Sequence, residues 1–254
     1  MAMDHRIDAD GVELAAHLAP AAGPAPGLVL SHGFPTGLGG GPKSAHTYPQ
    51  LADRIARHLG WTVVAINFRG CRPSAGQFSL QGWLADLSAA AEHLRGADGV
   101  SGVWLAGFGT GGALSVCAAA ADPHVRGVAA MGAPSDFDDW VADARALFSR
   151  ARAVGVMGDW DRPTPPANWQ DDLKSVRAVT CAEVIAPRPL LVMHGSADEL
   201  VPELGARALA DAHGDAELRL ISGAGHQLRH DPRAVAVFLG WLDRQRGLTT
   251  DDVA

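Results

Sequence analysis

An aspartate and a histidine late in the chain carry the first chemical signal. Asp198 lies in His194-Gly195-Ser196-Ala197-Asp198, with Val201-Pro202 following, and His226 ends the run Gly223-Ala224-Gly225-His226. An imidazole held by a carboxylate through one nitrogen can take a proton with the other, and so serves as a general base. A base needs a place to act, and the sequence offers a corner for it. Residues 102–119 run from an apolar stretch, 103–106, through Gly107-Phe108-Gly109-Thr110-Gly111-Gly112 into an alanine-rich helix. A strand-to-helix corner of the form Gly-x-Ser-x-Gly holds a serine hydroxyl out for nucleophilic attack. Here Gly107, Phe108, Thr110 and Gly111 fit that frame, but its centre is Gly109. Acyl transfer through a covalent intermediate needs an oxygen or sulfur at that centre, and glycine has neither. Thr110 is the next residue, its side chain turned from the corner, and Cys117 lies two helical turns further on, so neither replaces it.

The elements that must position these groups follow from the hydrophobic pattern. Residues 5–19 alternate around Asp10-Gly11 and read as a hairpin. After a Pro/Gly/Ala connector, 28–30 is a short buried strand that stops at His32-Gly33-Phe34-Pro35. Helical spacing over 47–59 ends at Gly60, and an apolar strand over 61–68 ends at Arg69-Gly70. A helix over 80–94, the glycine corner with its helix, and a strand over 125–131 come next. The sheet resumes at 189–193, with a helix over 203–212, a strand over 217–221 and a last helix over 231–246, opened by the cap pair Asp231-Pro232. Alternating strands and helices predict an α/β architecture, a mostly parallel sheet with helices on both faces. Residues 136–185 break the rhythm with Trp140, Trp160, Trp169 and helical patches over 138–150 and 168–178, and are expected to form a small helical cap inserted in a single domain spanning 1–254. In such sheets ligands collect at the carboxyl ends of the strands. Those ends carry His32, Gly33, Phe34, Arg69, Gly109, Thr110, Asp136, His194, Asp198 and His226.

In that order and spacing, the His-Gly-Phe-Pro run, the glycine corner, Gly195-x-x-Asp198 with Val201-Pro202, and Gly225-His226 are similar to motifs of the α/β-hydrolase superfamily. The chain resembles its small serine-hydrolase and peptidase-like esterase branch from Leu28 to the last helix. The resemblance implies that Asp198 orients His226 and that the N–H groups of Phe34 and Thr110 form an oxyanion hole. From their places at the strand ends and the cap, His32, Gly33, Arg69, Asp136 and Trp140 are the candidates to border the substrate, with a structural ion pair as the other reading of Arg69 and a solvated or first-turn helix charge as that of Asp136. Gly109 departs from the pattern, standing where the family carries its serine. The expected activity is hydrolysis of a small ester-like or amide-like carbonyl compound, with the His226–Asp198 pair activating water. The alternatives are a non-catalytic small-ligand-binding protein, and a cofactor-independent lyase or oxygenase using His226 as base.

Other chemistries fit less well. Gly107-x-Gly109-x-x-Gly112 also satisfies a dinucleotide fingerprint, but that reading wants an acid at the end of the next strand, which reads Met131-Gly132-Ala133. No cofactor is expected. His32, His194 and His226 lack the HxH or HxxxH spacing of a metal site, and no metal is expected. The loop 38–43, with Lys43, could cradle a phosphate but reads as a lip. A net charge of −7 without a basic stripe argues against nucleic acid. A content of 47% hydrophobic and 19% charged residues suits a globule rather than a disordered chain. Three cysteines outside any CxxC, and no leader-like apolar run after the opening residues, suggest reduced thiols in the cytoplasm. No apolar run is long enough to span a membrane. The partners left are a small-molecule substrate or ligand and a second copy of the chain as a homodimer.

Overall fold

The computed structural model describes residues 4–36, 44–157 and 168–247; the lip 38–43, Trp160 with its neighbouring prolines, and the tail beyond 247 lie outside the described residues. The chain opens with the hairpin β1 (His5–Ala9) and β2 (Val12–Ala19). Ala9 pairs with Val12 across a two-residue turn in which Asp10 and Gly11 have φ of 54° and 80°. That is the doubly positive turn whose twist matches a hairpin.

Six parallel strands complete the sheet: β3 (Ala25–Ser31), β4 (Thr62–Ile66), β5 (Val100–Phe108), β6 (Val125–Met131), β7 (Leu190–Gly195) and β8 (Glu217–Ile221). Their order is β1-β2-β4-β3-β5-β6-β7-β8, with antiparallel pairing at β1–β2 and β2–β4 and parallel pairing elsewhere. Every residue of β3 and β7 is buried, the pattern of strands covered on both faces. The strand expected over 61–68 is shorter, because Trp61 packs in the core ahead of β4, while Asn67 and Phe68 lead away from its end.

Helices α1 (Ser44–Leu59) and α9 (Pro232–Arg246) cover one face, packing Tyr48, Ile55, Phe238 and Trp241 with Trp61. The other face is covered by α2 (Leu80–Arg95), α3 (Thr110–Ala121), α7 (Ala178–Ile185) and α8 (Glu203–His213). Caps set several starts. The Ser79 side chain accepts from Gly82 N–H ahead of α2, and Asp231 accepts from Arg233 and Ala234 N–H ahead of α9.

Between β6 and β7 lie α4 (Asp138–Ala142), α5 (Ala144–Ala153) and α6 (Trp169–Lys174), then α7. The helical patch expected over 138–150 is two helices, because Asp143 leaves helical conformation and caps α5 by accepting from Ala146 N–H. The patch over 168–178 is also split. α6 stops at Lys174, and α7 runs on to Ile185 against α3 and α8. The end of the 136–185 stretch thus belongs to the helical layer on the sheet.

Candidate active site

The corner is built by glycines for steric reasons. A Cβ on Gly107 would meet Gly111 C and O at 2.3 Å, and one on Gly111 would meet His32 O at 2.3 Å. Bare backbone therefore lets α3 leave β5 at this angle. At the apex, Gly109 has φ 54° and ψ −126°, and its N–H donates to Met131 O at 2.8 Å. That conformation is open to glycine and strained for other residues.

His226 faces this apex. An ideal Cβ on Gly109 would stand 3.3 Å from His226 Nε2 and 3.5 Å from its Cε1. On the far side of the ring, Nδ1 lies 2.9 Å from Asp198 Oδ2. An ionised carboxylate only accepts, so Nδ1 donates, and the neutral ring turns a bare Nε2 toward the corner. Asp198 is buried, with its side chain 1% exposed. Its Oδ1 accepts from Leu200 and Val201 N–H at 2.9 and 3.0 Å. His194, also buried, donates from Nε2 to Val201 O at 2.9 Å and lies 3.4 Å from Asp198 Oδ2. The carboxylate is thus held by backbone and imidazole together, which fixes its direction. A close approach sets the histidine loop: a Cβ on Gly195 would meet Ala224 O at 2.3 Å.

The third wall comes from the end of β3. A Cβ on Gly33 would lie 2.9 Å from Phe108 O, so glycine seats residues 32–34 against the corner. Neither Phe34 N–H nor Thr110 N–H has a hydrogen-bond partner among the described residues. Thr110 follows Gly109 in the chain, and Phe34 follows Gly33, whose Cα lies 3.6 Å from the Cβ position of Gly109, so two amide donors without an acceptor stand beside the apex. His32 holds this segment. Phe68 N–H donates to its Nε2 at 3.2 Å, so its Nδ1 carries the proton and donates to Gly33 O at 2.7 Å. Burial lowers its pKa to about 4, which keeps the ring neutral.

These groups open on a cavity of about 590 Å3, whose lining includes His32, Gly33, Phe34, Gly109, Thr110, Asp136, Trp140 and His226. Arg69 is not among the lining residues and forms an ion pair in the core, the structural reading also given for it. Its Nε and backbone N–H donate to the buried carboxylate of Asp86 at 2.7 and 2.8 Å. Burial raises the Asp86 pKa and the arginine opposes that rise, so the guanidinium is committed to the core. Phe137 and Trp140 near and on α4, with Arg150 and Val154 on and after α5, form the roof. Trp140 packs edge-on to Phe34, with centroids 5.3 Å apart, so it serves lining and packing at once. Trp169 packs against Phe78 and Phe148 and is absent from the lining.

The sequence reading missed Tyr48, Arg150, Leu200 and Arg229. A signal existed only for Arg229, which follows His226 by three residues in a short 3₁₀ turn (Leu228–His230) and so returns toward the same space.

Comparison with known proteins decides the family. Residues 26–153 match the family described as alpha/beta hydrolase fold. The chain belongs to the α/β-hydrolase family. Among relatives of this α/β hydrolase, a pimeloyl-[acyl-carrier protein] methyl ester esterase of Xanthomonas axonopodis pv. citri (strain 306) is 27% identical, covering 87% of this chain and 92% of that protein. Est1E from Butyrivibrio proteoclasticus, solved with ferulic acid bound, superposes with a TM-score of 0.72 at 19% identity, over 95% of this chain and 97% of that one. The Pyrococcus furiosus esterase Pf2001 gives 0.70 at 16% identity, over 96% and 92% of the two chains. These structures share the fold. Among the described residues, no helix is long and apolar enough to cross a membrane.

Proposed function

We propose that this α/β hydrolase cleaves a small ester or similar carbonyl compound without an acyl-enzyme, His226 activating water in the space that a nucleophile's side chain would fill. In this reading Gly109 stands where serine hydrolases of the fold carry their nucleophile, and α4–α6 form a cap over the single domain's site. The observation that carries it is the distance of 3.3 Å between His226 Nε2 and the Cβ position of Gly109, with Nδ1 held 2.9 Å from Asp198. Removing a hydroxymethyl group there leaves room for roughly one water, about 30 Å3. A water at hydrogen-bond distance from Nε2 is placed to attack a carbonyl carbon seated over the corner.

His226 Nε2 takes a proton from water as its oxygen bonds to the carbonyl carbon. The carbonyl oxygen becomes an oxyanion, stabilised by Phe34 and Thr110 N–H. As the tetrahedral species collapses, the C–O bond to the alcohol breaks, and the imidazolium returns its proton to the leaving oxygen. Asp198 stabilises the imidazolium throughout. Oxyanion stabilisation and binding alone retain roughly 10³–10⁴-fold catalysis in triad enzymes stripped of a member, so the expected rates are low but above background. The relatives named as esterases support the reaction class.

The test is turnover of short-chain acyl esters by the wild type, His226→Ala and Gly109→Ser. We expect loss of turnover in His226→Ala and, in Gly109→Ser, faster turnover with covalent labelling by a serine-directed phosphonate. Equal rates for the wild type and His226→Ala remove the water-activating role. A second reading rests on the missing oxygen at Gly109: a protein that keeps the capped cavity to bind a ligand. It requires that no substrate be consumed over hours while His226→Ala still weakens binding.

A further inference from the structure

The cavity lining holds a cation, Arg229, that hydrogen-bonds the Tyr48 side chain but pairs with no carboxylate among the described residues. Arg229 places its guanidinium carbon 5.4 Å from the centroid of the Tyr48 ring, and both residues line the cavity. Its Nε is buried with no hydrogen-bond partner among the described residues, and no carboxylate there forms an ion pair with it. The segment 37–43, which joins lining residues Thr36 and Tyr48 in sequence, contains no Asp or Glu. The groups packed beside Arg229 are neutral. Tyr48 is buried, its phenol pushed up to about 12, and His32 is locked as the neutral tautomer by Gly33 and Phe68.

The remaining charges on the lining belong to the roof. Asp136 is occupied, accepting from Ser135 Oγ and Asp138 N–H and lying 4.0 Å from Arg177. Asp139 and Arg150 are exposed on α4 and α5. Among the described residues the floor therefore carries positive charge and the rim above is mixed. A partly buried guanidinium whose Nε has no partner and which meets no carboxylate among the described residues is a ready site for an anion brought by a ligand.

We propose that Arg229 anchors a carboxylate at one end of the ligand. Combined with the hydrolytic reading of His226, on which this step rests, the substrate class is a small ester bearing a second, ionised carboxyl group, such as a monoester of a dicarboxylic acid. A carboxylate fits better than a phosphate. A planar guanidinium matches two carboxylate oxygens, whereas a phosphate dianion calls for further donors, and among the described residues the lining's other guanidinium, Arg150, stands on the roof.

Calorimetric binding tests this without requiring turnover. The probes are glutaramate, which carries a carboxylate and an amide, and its neutral counterpart glutaramide. We expect the wild type to bind glutaramate at least about tenfold more tightly at low salt. The preference should vanish in Arg229→Gln and persist in part in Arg229→Lys, with unchanged thermal midpoints showing that the variants fold. Equal affinity of the wild type for the two probes overturns the proposal whatever the variants do, as does competition by inorganic phosphate at lower concentration than glutaramate. Charge-selective binding with no ester turnover would leave Arg229's role intact and sink the hydrolytic reading. Turnover without charge selectivity would do the reverse.

Discussion

At the scale of single residues, Asp198 links three groups and its replacement separates their contributions. Its carboxylate accepts from Leu200 and Val201 N–H and from His226 Nδ1, with His194 3.4 Å away. Asp198→Ala takes the acceptor from the Leu200 and Val201 N–H groups and the partner from His226, and is expected to cost roughly 1–3 kcal/mol, read from urea-unfolding midpoints. Asp198→Asn keeps an acceptor for the amides but points a donor at His226. The ring would then carry its proton on Nε2, toward the corner, and could not take one from water. We expect ester turnover to fall by up to about 10⁴-fold in this variant with a smaller loss of stability. Equal loss of activity and stability in both variants would show that Asp198 serves the fold alone. Arg69 shows how a residue at the right address can have another task. Its partner Asp86 is fully buried on α2, and nothing in the local sequence around Arg69 marks that pairing.

At the scale of elements, the crossing of β5 and α3 tolerates no side chain, and other glycines provide the contrast. Gly111→Ala would drive a Cβ to within 2.3 Å of His32 O, so we expect a loss of about 3 kcal/mol or failure to fold. Gly240, inside α9, has its nearest neighbour, Arg244 Nη1, at 3.9 Å. Gly240→Ala should therefore stabilise by roughly 0.5–1 kcal/mol through helix propensity. Thermal melts of the two variants against the wild type check both signs. This crossing was legible in the sequence because the constraint is local: the glycine spacing writes the geometry directly. The Asp198–His226 pair was legible because each sits at a strand end in a run of small residues. The roof was not. Whether residues 168–185 make one helix or two depends on α7 finding α3 and α8, a tertiary contact with no local signature. Tyr48 reaches the cavity from α1, whose helical spacing over 47–59 carries no local sign of it.

At the scale of the molecule, the sheet separates two cores, and the site lies where β3, β5 and β7 end between them. His32 couples that site to global stability. Its folded pKa of about 4 lies below the ordinary value near 6.5, so between these the unfolded chain binds a proton that the folded chain excludes. The stabilisation is complete above pH 6.5 and is lost as pH falls toward 4, by about 3 kcal/mol from this residue. Urea midpoints from pH 7 to 4.5 should show that slope in the wild type and a shallower one in His32→Gln; identical slopes would disprove the coupling. The apex at Gly109 has a longer-range consequence. Its positive φ costs a glycine nothing, so the pose persists with no selection for a side chain there. Where the codon at this position ends in a pyrimidine, one base change writes serine into a pocket whose histidine and amides already face it. A gene with such a codon would, under the proposed function, stand a single mutational step from an armed hydrolase, and a growth selection on ester nutrients would be the natural way to watch that step being taken.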